Sequence, residues 1–302
     1  MRIGIFGGAA VEGGSIDGVV SDARRSADEG FATYWLPQIF GLDALTTLAV
    51  VGREVPRIGL GTAVIPTYPR HPMMLAAQAR TVQAASGNRL TLGIGLSHQI
   101  VIENMLGYSF AKPGTHMREY LEILAPLVRG ETVDFDGESL HGHLGLSPID
   151  AQPCPILVAA LGPKMLEYAA RLADGTILWM TGPGTIESYT VPTITAAAAE
   201  AGRPAPLVAA GVPVCVTSDA DAARDRAAHI FRIYGTLPSY RAMLDREGLD
   251  GPADLAVIGD EAAVASAIGR FGDAGVTDFA ASEFGGSADE KTRTRELLRT
   301  LV

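Results

Sequence analysis

Short apolar runs rich in β-branched residues alternate eight times with longer amphipathic runs along the 302 residues of this chain. Strands are read at 2–7 ("RIGIFG"), 32–37, 57–66 ("RIGLGTAVIP"), 89–95, 155–160, 175–180, 206–217 and 277–284 ("TDFAASEF"). Helical periodicity falls at 15–30, 42–55, 71–86, 115–129, 163–173, 185–201, 219–235 and 260–275, with a short closing helix at 288–301. Strands that are apolar almost throughout are buried on both faces, which means a parallel sheet covered by helices. Eight such units fit an α/β fold of the (β/α)8 TIM-barrel kind, for which roughly 250 residues is typical. The excess falls in insertions after strand 4 (96–114, with a hairpin expected within 130–150) and after strand 7 (236–258). No low-complexity linker divides the chain, so one domain is expected over 1–302. The alternative is an open doubly wound sheet. Against it, "FGGAAVEGG" after the first strand lacks the GxGxxG spacing that opens a dinucleotide-binding helix.

Charge and apolar patterning exclude several partners. With 34 acidic and 24 basic side chains the formal net charge is −10, a surface that repels nucleic acid and anionic lipid. No apolar run reaches membrane-spanning length. "MRIGIFGGAA" enters a strand with no cationic segment and cleavage site before it, so a cytoplasmic location is expected. The two cysteines, Cys154 and Cys215, have no CxxC or zinc-like spacing and read as small buried hydrophobes.

In a barrel of this kind, the site lies at the C-terminal ends of the strands. The positions to inspect there include Gly7, Gly8, Gln38, Ser97 and His98. After strand 5, "ALGPK" places Gly162 and Pro163 at a helix start, where the free N–H groups of Lys164 and Met165 and the Lys164 charge suit a phosphate. "TGPGT" (181–185) repeats the construction after strand 6, so the two starts together would make one anion cradle; each is otherwise a tight strand-to-helix turn. His98 stands just past strand 4, where an imidazole can give or take a proton near neutrality, or simply bond within its loop. Gln38 can bond a ring carbonyl or only the backbone. Trp179 and Met180 read as core or as cofactor contacts, and His71 as a helix cap. His141 and His143 share one side of the expected hairpin, but no third ligand follows, so no metal site is expected. No GxSxG, HExxH or P-loop occurs. Phosphate anchors, an apolar mouth and few ionisable groups suit a cofactor that carries the chemistry while the protein binds and orients it.

The block "GLGTAVIPTYPRHPMMLAAQARTVQAASGNRLTLGIGLSH" (59–98) resembles the central block of the bacterial luciferase-like flavin and deazaflavin oxidoreductases, which are (β/α)8 barrels. The likeness lies in its Gly-Thr-x-Val strand end (Gly61, Thr62, Ala63, Val64), the His-Pro helix start, the Ser-Gly-x-Arg helix end and the following Gly-x-Gly. "WLPQIFGLDALT" (35–46), "GLSHQ" (95–99) and "ALGPKMLEYAARLADGTILWMTGP" (160–183) are similar to the branch that uses coenzyme F420; FMN is the alternative cofactor.

The resemblance implies a cis bond at Ala63–Val64, in a bulge that backs the deazaflavin ring. Gly61 would then let the strand distort and a flat ring approach, while Gly59 serves packing. It also implies that Ala160, Leu161, Gly162, Pro163, Lys164 and Met165, with Met180, Thr181, Gly182 and Pro183, hold the phosphate-bearing part of the cofactor. Relatives often carry a glutamate after strand 4, where this chain has His98; some carry a histidine where this chain has Gln38. The implied activity is hydride transfer between deazaflavin C5 and a small, moderately apolar carbonyl, imine or activated alkene, with His98 handling the proton. Tyr68, Phe40 and Phe284 suggest the apolar character. An FMN-dependent monooxygenase and a non-catalytic F420-binding barrel are the rival readings, and a homodimer is possible.

Overall fold

The computed structural model describes residues 1–7 and 14–302; Gly8 lies outside them. Eight strands form the barrel. They are β1 (Arg2–Phe6), β2 (Thr33–Leu36), β3 (Gly59–Thr62, resuming at Ile65–Pro66), β4 (Leu90–Gly95), β5 (Ile156–Val158), β6 (Gly175–Trp179), β7 (Leu207–Val216) and β8 (Asp278–Glu283). Each pairs in parallel with the next, and β8 returns to β1 through Arg2↔Asp278 to Ile5↔Ala281, so the sheet closes. Every strand read in the sequence is present, and the doubly wound alternative is excluded by that closure.

The outer ring is α1 (Ile16–Asp28), α2 (Ala44–Glu54), α3 (Pro72–Ser86), α4 (Pro113–Arg129), α5 (Pro163–Leu172), α6 (Val191–Glu200), α7 (Ala220–Phe231), α8 (Pro238–Glu247), α9 (Glu261–Asp273) and α10 (Ala288–Thr300). Local chemistry sets the ends. Ser15, Asp43, Asp219, Asp260 and Ser287 each accept a backbone N–H at a helix start. His71 caps α3 through Nδ1, which accepts from Met73 N at 3.3 Å, while Gly87 at φ 64° ends that helix. The helix expected from 115 begins two residues earlier, because Pro113 suits the first turn. That shift leaves His116 inside the helix and buried rather than at its start.

The insertions depart more. The hairpin expected within 130–150 forms between Val133–Asp136 and His141–Leu144. Buried Glu119 on α4 pins its tip by accepting from the N–H groups of Glu138, Ser139 and Leu140 at 2.9, 2.9 and 3.1 Å. Burial raises the Glu119 carboxyl, but those donors outweigh it and hold its pKa below the ordinary value. The second insertion contains α8 and an unforeseen parallel strand, Val257–Gly259, that pairs with Val214–Val216.

Inside the barrel, Trp35, Leu157, Ile177, Ala209 and Ala280 form their own apolar cluster, joined by Phe6, Val64 and Ala159. The Trp35 indole is its largest member and lies against a glycine, as does Trp179 of the neighbouring cluster. A Cβ on Gly61 would fall 2.1 Å from Trp35 Cε3, and one on Gly211 would fall 2.9 Å from Trp179 Cε3. The expectation that Gly61 admits a flat ring therefore needs correction: the ring is Trp35, part of the protein itself. Gly59 packs as expected, since a Cβ there would lie 2.9 Å from the Ala32 carbonyl oxygen.

Gly61→Ala is expected to destabilise the protein by about 3 kcal/mol, the upper range for overpacking, because backbone and a buried indole must both yield. Adding Trp35→Phe to the same chain should restore part of that loss. Urea unfolding of the two variants checks both statements.

Candidate active site

The strand ends bring most of the expected residues to one mouth. β3 breaks after Thr62, the Ala63–Val64 bond is cis, and pairing resumes at Ile65. Thr62 ties the break to β4: its Oγ1 donates to the Gly93 carbonyl and accepts from Gly93 N, both at 2.8 Å. Val64 turns toward the neighbouring strands. A Cβ on Gly95 would lie 2.8 Å from Val64 Cγ2 and 3.2 Å from Ala159 Cβ, so the ends of β3, β4 and β5 meet here. Ser97–His98 and Ala160–Met165 follow directly along the chain.

Ser97 and Met180 both have left-handed backbones, at φ 62° and 49°. Side chains rarely adopt that conformation, and it is costly for a residue as large as methionine. Each redirects the chain just past a strand, β4 and β6 respectively.

His98 is half-buried, and its imidazole has no carboxylate hydrogen-bond partner among the described residues. Desolvation pushes its pKa below the ordinary histidine value of 6.5, so the ring is neutral at pH 7. A chain of rings crosses the mouth from it. His98 lies 6.0 Å from Tyr240, Tyr240 4.9 Å from Tyr234, Tyr234 6.0 Å from Trp179, and Trp179 5.1 Å from Phe6. Tyr240 comes from the second insertion and Tyr234 from the turn Arg232–Gly235 just before it; neither is among the residues expected at the mouth. The aromatic density of "FRIYGTLPSY" (231–240) was the available signal.

The remaining candidates divide. Gln38 spends its carbonyl oxygen on Ala44 N at 2.8 Å, while its amide nitrogen makes only a 3.5 Å contact to the Ile39 carbonyl. Gly162 starts α5 with no side-chain cap, and nothing stands within 4 Å of where its Cβ would be. Lys164 does not lean over that start. It is exposed and turns along its helix to Glu167 Oε2 at 3.0 Å. Thr181 and Gly182 are buried, with Pro183 half-buried beside them. The second Gly–Pro start accepts an internal anion: Gly184 N and Thr185 N donate to Glu247 at 3.0 and 2.6 Å. The two starts therefore do not form one open cradle.

Of the apolar residues expected here, Phe284 packs on Phe231 at 5.8 Å and Tyr68 stacks on Phe110 and on His116, the latter at 3.9 Å. Phe40 stands in solvent, 75% exposed. His116 Nε2 meets Thr67 Oγ1 at 3.0 Å, and burial, opposed in part by Glu119, pushes its pKa down to about 4. Both cysteines are buried with raised pKa, Cys154 to about 12, chiefly by desolvation, which leaves them poor nucleophiles. His141 and His143 pair with Asp136 and Asp134, and among the described residues no three His, Cys, Asp or Glu side chains gather as a metal site. No described helix is long and apolar enough to cross a membrane.

A closed parallel barrel whose third strand breaks at a cis bond is what the likeness of residues 59–98 implied. The chain matches the family model described as luciferase-like monooxygenase over residues 1–278, and it belongs to that family. It is 32% identical over 284 residues to a 5,10-methylenetetrahydromethanopterin reductase of Methanolobus tindarius, covering 91% of this chain and 85% of that protein. In fold it is similar to the coenzyme F420-dependent tetrahydromethanopterin reductase of Methanopyrus kandleri. That match has a TM-score of 0.82 at 22% identity and covers 100% and 98% of the two chains. It is also similar to the FMN-bound oxygenating constituent of 3,6-diketocamphane monooxygenase of Pseudomonas putida. There the TM-score is 0.75 at 16% identity, with 100% and 96% covered.

Because His116 titrates near 4 when folded and near 6.5 when unfolded, the unfolded chain binds more protons between those values. The contribution of this residue is therefore constant above about pH 6.5 and is lost as pH falls towards 4. His116→Leu should flatten that part of the stability curve. Urea midpoints measured at pH 7 and pH 5 for both proteins test it.

Proposed function

We propose that this chain is a coenzyme F420-dependent oxidoreductase, built as one barrel domain over 1–302. Its substrate is a small, moderately apolar carbonyl, imine or activated alkene. The observation that carries the reading is the meeting of Val64, Gly95 and Ala159 beside a neutral, half-buried His98. The similarity to an archaeal reductase across most of the chain supports the same kind of reaction.

When bound, coenzyme F420 supplies a deazaflavin ring that carries a hydride. The residues here fit such a group. The N–H groups of Lys164 and Met165 face no side-chain cap, Gly162 leaves space for an approaching anionic group, and Lys164 can leave its exposed pairing with Glu167 at little cost. Ala63 and Val64 are half-buried, Val64 meets Gly95 together with Ala159 three residues before that start, and the Gln38 amide nitrogen, held only by its 3.5 Å contact to the Ile39 carbonyl, is a donor near the end of β2. The half-buried rings from Tyr240 to Phe6 line the mouth with apolar surface. His98, neutral and desolvated, accepts a proton from a substrate hydroxyl or amine in the oxidising direction and returns it in the reducing one.

An FMN enzyme is the second reading, favoured by the fold likeness to an FMN-bound oxygenase. Titration of the purified chain with F420 and with FMN, followed by absorbance and fluorescence, separates the two. F420 is expected to bind and FMN to bind far more weakly; the reverse order overturns the proposal.

The rate of substrate oxidation should rise with pH along a limb whose midpoint lies below 6.5, since burial lowers the His98 pKa. His98→Ala should remove that limb and lower kcat roughly 100- to 10,000-fold, the usual range for a positioned acid–base group. Unchanged turnover in that variant would remove His98 as the proton carrier, whereas F420 binding with no turnover on any acceptor would leave only a cofactor-binding barrel.

A further inference from the structure

The two Gly–Pro helix starts share a sequence pattern but differ in what they hold. The first, at Gly162, is uncapped. The second opens a helical run through residues 183–200, and it carries an anion from this chain. Glu247, the last residue of α8, accepts from Gly184 N through Oε1 and from Thr185 N through Oε2. A Cβ on Gly182 would lie 2.2 Å from Glu247 Cδ, so this seat exists only because residue 182 is glycine. Two hydroxyls beside it, Thr181 Oγ1 and Thr185 Oγ1, are buried and have no hydrogen-bond partner among the described residues, although their residues are only 1% and 0% exposed. Buried hydroxyls without partners are uncommon and mark a place with polar capacity to spare.

The same contact positions α8. Next to Glu247, the Arg246 guanidinium lies over the Tyr189 ring at 3.9 Å, a second tie to the same helical run. Met243 and Leu244 are buried beneath α8, and Tyr240 near its start reaches the His98 ring. One end of α8 thus sits on a helix N-terminus and the other covers the residue proposed to move the proton.

We propose that Glu247 is a displaceable internal anion. Its carboxylate holds α8 over the mouth, and an oxyanion of a phosphorylated ligand that takes the N–H groups of Gly184 and Thr185 releases Glu247 and lets α8 move. Two anions cannot share one pair of donors without repulsion. A ligand can shift this equilibrium only through preference for the released state, and its apparent affinity falls by the fraction of chains in which Glu247 is docked. Identification of the oxyanion with the cofactor's phosphate rests on the function proposed above and seats that phosphate at this start, with the Gly162 start left to another part of the cofactor; competition between Glu247 and phosphate rests on neither.

The test uses the full chain with Glu247→Gln, which removes the charge, and Glu247→Asp, which keeps it but shortens the reach. Thermal unfolding is followed in sodium phosphate and in sodium chloride of equal ionic strength, and F420 binding by fluorescence. Both variants should melt below the wild type without phosphate and be stabilised by phosphate concentrations that leave the wild type unchanged. Both should bind F420 roughly tenfold more tightly. Hydrogen exchange across 238–247 should quicken in the wild type when F420 is added. Equal response of all three proteins to phosphate overturns the proposal, and F420 binding that is unchanged or weaker in the variants overturns the identification of the oxyanion with the cofactor's phosphate. If phosphate discriminates as expected but F420 binds none of the three, the cofactor assignment fails and the displaceable carboxylate stands.

Discussion

Closure of eight parallel strands leaves a bore that side chains must fill, and here two indoles lie in it against glycines. Trp35 presses on Gly61, and Trp179 presses on Gly211. Barrel interiors are more often filled by layers of branched aliphatic residues. A few large rings need small neighbours, which accounts for Gly61 and Gly211; at Gly4 the Thr33 carbonyl oxygen, 2.5 Å from where a Cβ would lie, sets the limit before Trp35 Nε1 at 3.1 Å. The mouth inherits its shape from this arrangement. Trp179 is the last residue of β6, and the chain turns at Met180 immediately afterwards with a left-handed backbone. On the opposite side β3 breaks, and the Val64 side chain covers Gly95.

The barrel was legible in the sequence because each strand is buried on both faces. Such burial writes a continuous apolar run that no amphipathic helix would show. The site's positions follow from strand ends alone, which put Gln38, Ser97, His98, Gly162 and Gly182 at the mouth. What those residues contact was much less legible. That a glycine was needed at 61 could be read from its place inside a strand, but the ring it accommodates belongs to Trp35, a partner 26 positions away along the chain. The strand Val257–Gly259 is three residues long and gains its identity only from pairing with β7. Helix starts and caps were predictable to within about two residues, the usual uncertainty of such boundaries.

Lys164 and Glu247 show how far charge departs from local reading. Sequence places a lysine in the first turn of a helix with an uncapped start, an arrangement that suits phosphate. The ammonium group instead finds Glu167 one turn on, the nearest carboxylate in solvent. Twenty residues later the same Gly–Pro pattern meets a carboxylate that arrives from 63 positions away. Helix N-termini attract whatever anion is nearest, and tertiary structure decides which one that is. Two starts with one sequence pattern thus have opposite electrostatic states, and only the second is coupled to the position of α8.

That coupling bears on the choice of histidine at position 98. A carboxylate enclosed by Tyr240 and its neighbouring rings would be desolvated, and its pKa would rise until it was largely protonated at neutrality. Desolvation acts on histidine in the opposite direction and keeps it neutral, with one nitrogen able to donate and the other able to accept. In the proposed role, an imidazole can serve both directions of a proton transfer from a resting state that carries no uncompensated charge under an apolar cover. The aromatic insertion and the residue beneath it are consistent with each other: a mouth covered by tyrosines favours a proton carrier whose resting state is uncharged.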